Sequence, residues 1–382
     1  MNIIGVLAFV IALLLSVMVH ELGHLLTAKK FGMKVSEFFL GFGTRIWSTK
    51  RGETEYGLKA IPAGGYCRIA GMDPDEAMES GQEHRSFYKA SSGKKLIVLG
   101  AGSFNHFVLG FLLIFVLLSG IGVNALTPKI SDVIADTAAA SAGFQKGDEV
   151  LAINGKPVKD WSKDAAAIRD SKGAPLTFLV KRGNEEITIT AAPKLTKVSK
   201  TESRYLLGIM NEIGTKRVDP VTSVKASATL TWDMTASSAK ALVQLPSKLP
   251  ALWGQTFGGE KRESDGLVGV VGVARVSGQA AASGELTLSQ RIGTLILIVA
   301  SLNIFVGLFN LLPILPLDGG HMAIAIADEI RAFIARLRGR PRPAGIDVKV
   351  LTPVTMIVFV LLAAMTVLLL IADIFNPISL NL

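Results

Sequence analysis

The chain has 382 residues, 49% of them hydrophobic and 19% charged, with Lys+Arg 40 against Asp+Glu 31. A mean hydropathy of +0.44 excludes an ordinary soluble protein, and the charge content excludes a chain held wholly in lipid; a polar domain inserted between membrane spans satisfies both. The net charge of +9 does not signal nucleic acid, because the basic residues crowd beside apolar segments, and Cys67, the only cysteine, excludes an intrachain disulfide.

The first predicted element is a transmembrane helix over residues 3–28, closed by Lys29 and Lys30. It lacks the basic start and small-residue cleavage site of a signal peptide and reads as a retained span. At its inner end stands His20-Glu21-Leu22-Gly23-His24. On a helix His20 and His24 share one face, so both imidazoles can hold one zinc ion, with Glu21 beside them to take a proton from zinc-bound water. A soluble zinc protease would not set its zinc helix within a lipid-length apolar run. The pattern predicts a metalloprotease with its active site in the membrane.

Residues 33–72 then carry short β-prone pieces punctuated by glycine, including Gly41-Phe42-Gly43 and Gly64-Gly65-Tyr66. They predict short strands and tight turns in a small sheet at the lipid boundary. A second span is predicted over 96–121, with Asn105 and His106 as polar groups in lipid.

The stretch 128–193 predicts a compact β-rich domain. It has a strand at 130–134, a short helix at 137–142, an Asn154-Gly155 hairpin turn, a helix at 161–170 and paired strands at 176–181 and 186–191. This order resembles a PDZ domain. Residues 218–245 suggest a helix along the membrane. Further spans follow over 292–312 and 350–371. The basic residues of the 29–68 and 331–342 loops make those loops cytoplasmic, leaving both termini and the 122–290 stretch outside.

The fold class expected is therefore a multi-pass α-helical membrane protein with four transmembrane helices, a membrane-associated β region and an inserted extracytoplasmic PDZ-like α+β domain. The expected partition is 1–32, the first span with its HExxH; 33–92, the β loop; 93–121, the second span; and 122–196, the PDZ-like domain. It continues with 197–290, an extracytoplasmic linker with an amphipathic helix; 291–320, the third span and its Asn/Pro/Asp-Gly motif; 321–349, an amphipathic helix and basic loop; and 350–382, the fourth span and tail.

Catalytic zinc usually has three protein ligands and one open position. Asp318, in Asn310-Leu311-Leu312-Pro313-Ile314-Leu315-Pro316-Leu317-Asp318-Gly319-Gly320-His321, is the candidate for the third. A carboxylate at that depth is costly unless paired or bound to metal, and the prolines and glycines let the backbone turn back. The first and third spans both run inward, so both halves reach the cytoplasmic side. His321 reads as a cap of the following helix.

HELGH in the first span, a PDZ-like insert, and Asn310, Pro313 and Asp318-Gly319 after the third resemble the site-2 protease family of intramembrane zinc metalloproteases. The likeness is to its bacterial single-PDZ branch, which cuts membrane-spanning anti-sigma factors. The resemblance implies one zinc on His20, His24 and Asp318, Glu21 as general base, and Asn310 holding substrate or the developing oxyanion. Gly41, Phe42, Gly43, Gly64, Gly65, Tyr66 and Pro313 are the implied substrate-binding residues, and membrane-spanning proteins already trimmed outside are the implied substrates. Two departures affect backbone geometry: Leu315-Pro316 after the Asn310 motif, and Gly102-Ser103 where a Gly-Pro pair is common. A competing expectation is a non-catalytic PDZ-bearing scaffold with structural zinc, in which Glu21 has no function. The PDZ-like domain is expected to act as a size filter, because a peptide bound there would lie about 30 Å from the metal.

Overall fold

A computed structural model describes residues 3–72, 76, 78–197, 203–260, 262, 266–284 and 286–377. The chain divides into two compact units, residues 1–120 with 219–382, and residues 121–218.

The first unit opens with α1 (Ile3–Lys30). A long, mostly aliphatic run without proline makes the helix, and Lys29 and Lys30 in its last turn oppose the negative end of the dipole. Leu7, Ile11, Leu15, Leu22 and Leu26 are exposed at helical intervals, as a lipid-facing stripe requires, while Phe9, Ser16, His20 and His24 are buried.

Two long strands follow, β1 (Val35–Arg51) and β2 (Thr54–Ile69). This corrects the expectation of short strands separated by turns. Each strand bends and pairs twice: 45–51 runs beside 54–59, and 37–40 lies between 55–58 and 65–68. The outer segments of this sheet are thus 45–51 and 65–69. Glycines that read as turns are kinks within strands. Gly41 has φ +89°, and a Cβ there would sit 2.8 Å from the Ile61 carbonyl oxygen; Gly64 has φ +139°. Next comes α2 (Ser92–Val116), continued by a π-helical turn at Leu117–Ile121.

The second unit contains β3 (Val123–Val133), α3 (Ala138–Ala142), β4 (Glu149–Ile153), β5 (Lys156–Pro157), α4 (Trp161–Asp164) and α5 (Ala166–Asp170). It continues with β6 (Leu176–Arg182), β7 (Glu185–Ala191), β8 (Lys194–Lys197), β9 (Ser203–Leu206) and β10 (Ile209–Lys216). The main sheet has the order β10-β3-β4-β6-β7, with β5 beside β4. Asn154 and Gly155, both at positive φ, make the turn between β4 and β5. The core gathers Ile130, Phe144, Val150, Trp161, Phe178 and Val180. Asp148, only 1% exposed, accepts hydrogen bonds from Arg182 Nε and Nη2 and from the Gln145 backbone N–H.

This unit extends beyond the expected 122–196. β10, which fell in the expected linker, pairs with β3 and closes the sheet. Its partner lies far back in the chain, so no local signal announces the pairing.

The first unit resumes with α6 (Pro220–Phe257), α7 (Val270–Ala282), α8 (Leu288–Asn310), α9 (Asp318–Leu337) and α10 (Thr352–Phe375). Among the described residues, four helical segments are long and apolar enough to cross a membrane: residues 3–30, 92–121, 288–310 and 348–375. The tail beyond 377 lies outside the described residues. The helix expected over 218–245 runs on to 257, through Pro246 and Pro250. Both prolines are exposed, so the carbonyls they leave unpaired can be solvated. α7, rich in Gly, Ser and Ala, was not foreseen; it packs on α1 where a Cβ at Gly5 would lie 2.9 Å from the Ser277 oxygen.

Small residues also set the helix contacts around the inner end of α1. A Cβ at Gly23 would lie 2.5 Å from the Ala101 oxygen of α2, and one at Gly307 of α8 would lie 2.9 Å from the His106 Cβ. Backbones approach this closely only where side chains are absent. At the far end of the bundle, Arg262 and Asp373 form a buried ion pair at 2.8 Å, and the Gly272 N–H donates to the same carboxylate.

Candidate metal centre

α1 presents His20 and His24 one turn apart, both 7% exposed. After α8 the chain turns through residues 311–317, with a cis Leu315-Pro316 bond. Asp318 then opens α9. The return is tight. A Cβ at Gly319 would lie 2.3 Å from the Leu312 oxygen, and one at Gly320 would lie 2.5 Å from the Leu315 nitrogen. Glycine at both positions lets the first turn of α9 rest on that backbone and brings Asp318 back toward α1.

Three donor atoms meet there. His20 Nε2 and His24 Nε2 are 3.1 Å apart, and Asp318 Oδ2 is 3.2 Å from the first and 3.4 Å from the second. Four ligands about 2.0–2.1 Å from a tetrahedral zinc stand roughly 3.3 Å from one another, so the triangle has the size of one face of such a site. The buried Asp318 Oδ2 has no hydrogen-bond partner, which is costly unless a cation completes it. Two neutral imidazoles and a carboxylate form a donor set suited to zinc.

The neighbouring groups orient these donors. The Val98 carbonyl accepts from His24 Nδ1 at 2.8 Å, which leaves Nε2 to face the other donors. Gly102 faces both rings: a Cβ there would lie 2.5 Å from His20 Cε1 and 2.5 Å from His24 Nε2. Asn105 donates to the Val19 carbonyl at 2.8 Å, fixing the turn that carries His20. The Glu21 carboxylate lies next to the backbone N–H of Cys67, on the outer β2 segment.

The sequence candidates fall at different distances from this triangle. His20, His24 and Asp318 come together, and Glu21 adjoins them. Asn310 ends α8, and no hydrogen bond joins its side chain to the three donors. Pro313 is exposed in the 311–317 turn. Gly41, Phe42, Gly43, Gly64, Gly65 and Tyr66 cluster at the sheet bends, where the Phe42 and Tyr66 rings stack at 5.9 Å. A Cβ at Gly65 would lie 3.0 Å from Met18 Sδ, so the 65–69 segment runs against α1. His321 is not a cap: it lies inside α9, whose first residue is Asp318.

Sequence reasoning did not identify the Val98 carbonyl, the cradle at Gly102, or Ser16 and Asn303. A backbone carbonyl carries no sequence signal. A serine and an asparagine inside apolar spans do.

A set of membrane-length helices enclosing two histidines, a carboxylate and an adjoining glutamate defines a membrane-embedded zinc peptidase. Residues 8–360 match the model of Peptidase family M50. The chain is 33% identical to the zinc metalloprotease Rip1 of Mycobacterium tuberculosis strain H37Rv over 414 residues, covering 100% of this chain and 99% of that protein. It is 32% identical to zinc metalloprotease Rip1 of Mycolicibacterium smegmatis over 407 residues, covering 98% of each. The chain belongs to peptidase family M50, the site-2 proteases, and is a zinc metalloprotease of the membrane.

Proposed function

We propose that this protease cuts transmembrane segments of single-pass membrane proteins, of the anti-sigma-factor kind, after a first protease has trimmed their outer domain. The observation that carries this reading is the His20, His24 and Asp318 triangle, set between helices long and apolar enough to span a bilayer.

In this reading His20, His24 and Asp318 hold the zinc. When bound, zinc polarises the scissile carbonyl and acidifies water. Glu21 receives the proton from the attacking water at its carboxylate and passes it to the leaving amine. Asn310 donates its side-chain amide N–H to the developing oxyanion. The positive loops 29–68 and 331–342 face the cytoplasm, both termini and the 121–218 unit face outward, and water enters from the inner side.

A helical substrate hides its peptide bonds in hydrogen bonds and must first unwind. Among the described residues, the 65–69 segment of β2 has a strand partner on one side only, and its Cys67 N–H adjoins Glu21. An extended substrate stretch adds there as another strand, with Gly64, Gly65 and Tyr66 along it, Gly41-Phe42-Gly43 at the neighbouring bend, and Pro313 as a further substrate contact. Proline substitutions along 65–69 should depress cleavage with zinc content unchanged; normal cleavage throughout would remove this element.

The 121–218 unit acts as a size filter that excludes substrates with large outer domains. One observation favours a second reading, peptide docking. A cleft of about 280 Å³ lies between α4 and α5, with Trp161, Ala165 and Ile168, and the Leu206-Leu207-Gly208-Ile209 approach to edge strand β10. Deleting residues 121–218 separates the two. A filter predicts that untrimmed substrate is then cut, and docking predicts that trimmed substrate no longer is.

The whole reading is tested by comparing membrane proteomes of wild-type and Glu21→Gln cells. Proteins truncated just outside the membrane should accumulate in the mutant. Identical proteomes would contradict it.

A further inference from the structure

His24 has a hydrogen-bonded orienting partner, the Val98 carbonyl, whereas the buried His20 Nδ1 has none. Something else must hold the His20 ring, because a ligand free to rotate about χ2 binds metal weakly. The ring of His106, a buried residue of α2, lies beside it, with centroids 4.9 Å apart and planes inclined by 39°.

His106 is itself clamped. Its Nδ1 is 2.8 Å from Asn303 Oδ1 on α8. Asn303 Nδ2 donates to Ser16 Oγ at 2.9 Å and to the Val299 carbonyl at 2.8 Å. Ser16 Oγ in turn donates to the Ala12 carbonyl at 2.8 Å. The Ser16 proton is therefore committed to Ala12, so Ser16 accepts from Asn303. The Asn303 amide must present its oxygen to His106, whose Nδ1 then carries a proton. One chain of hydrogen bonds, from α1 through α8 to α2, fixes the tautomer and rotation of His106. Asn303 is 1% exposed and completely buried at the centre of the bundle, where a polar side chain is retained only with its partners in place.

We propose that His106 is the positioning residue for His20, with Asn303 and Ser16 as the relay that locks it. The inference rests on His20 being a zinc ligand. The His20 ring meets both Gly102 and His106, one turn apart on α2, so packing supplies the orientation that a hydrogen bond supplies for His24.

The test uses the full-length protein in detergent, with cobalt as the spectroscopic probe and zinc affinity measured by competition. His106→Ala and Asn303→Ala should each weaken zinc binding 10- to 100-fold and alter the cobalt d–d bands. The double variant should be no weaker than either single one, since both break the same relay. Asn303 touches no ligand, so a merely structural role would lower thermal stability and leave the bands and the zinc affinity at wild-type values. That result overturns the proposal. Ser16→Ala removes only the far end of the relay; it should shift the bands in the same direction by less, and an unshifted spectrum also counts against the proposal should the Asn303 variant not fold. His20→Ala serves as the reference: if it keeps full cobalt affinity, the ligand assignment is at fault and not the relay.

Discussion

Asp318 Oδ2 stands 3.2 Å from His20 Nε2, so the first residue of α9 completes a donor set begun within α1. Two glycines make that possible, by letting α9 start against the backbone of its own preceding turn. The donor triangle is therefore only as stable as the return of the chain after α8. Gly319→Ala places a Cβ 2.3 Å from the Leu312 oxygen, and Asp318 must then move. We expect zinc content of the purified variant to fall well below one equivalent, measured by elemental analysis, with membrane insertion retained. Full zinc occupancy would show that the turn tolerates the methyl group.

Gly102 offers a sharper case, because it is no ligand. Gly102→Ala forces a methyl group within 2.5 Å of both imidazoles. Loss of zinc and of activity is expected, by at least the 10- to 100-fold seen when orienting groups around a metal are disturbed. Ser103→Ala, one residue on, changes only a hydroxyl and should keep its zinc.

Asp318→Asn removes the charge of the third donor while keeping its shape. Zinc affinity should drop by a similar factor or more, and raising the zinc concentration should recover part of the activity. Equal affinity in the variant and the wild type would mean that the carboxylate is not a donor.

The 121–218 unit makes a pH prediction. Burial raises the pKa of Asp148, but the Arg182 fork and the Gln145 N–H outweigh it and hold the carboxyl below its ordinary value. A depressed folded-state pKa adds stability that is present above the unfolded value and lost as pH falls through the folded one. Thermal unfolding followed in the full chain should therefore show this unit destabilised by acid below about pH 4. Arg182→Ala should cost about 3 kcal/mol at neutral pH, since it strands a buried charge, and it should flatten the acid response. An unchanged melting profile in that variant would contradict the role given to the pair.

Much of this arrangement could be read in the residues. Long aliphatic runs specify lipid-spanning helices within a turn of their ends, and the i, i+4 pair His20 and His24 shares a helix face wherever that helix lies. Asp318 could be singled out as a candidate because a carboxylate next to a span is costly without a partner. The less legible parts depend on contacts between distant segments. β10 belongs to the sheet through its pairing with β3, and its own run, preceded by Gly208 and interrupted by Gly214, has no alternation long enough to declare it. The glycines of residues 41–65 are ambiguous by chemistry, since a kink within a strand and a turn between strands ask for the same backbone freedom. Asn303 and Ser16 were detectable as polar residues within spans, but only packing reveals that they face each other and His106.

The central claim is that Glu21 does hydrolytic chemistry within the lipid-spanning part of a substrate. The most direct measurement incubates purified full-length protein with a purified single-span substrate lacking its outer domain, and maps the product ends by mass spectrometry. The wild type should produce fragments that end inside the apolar segment. Glu21→Gln should hold the same zinc and cleave roughly 10²- to 10⁴-fold more slowly. Undiminished cleavage by Glu21→Gln, or product ends lying only outside the apolar segment, would contradict the account.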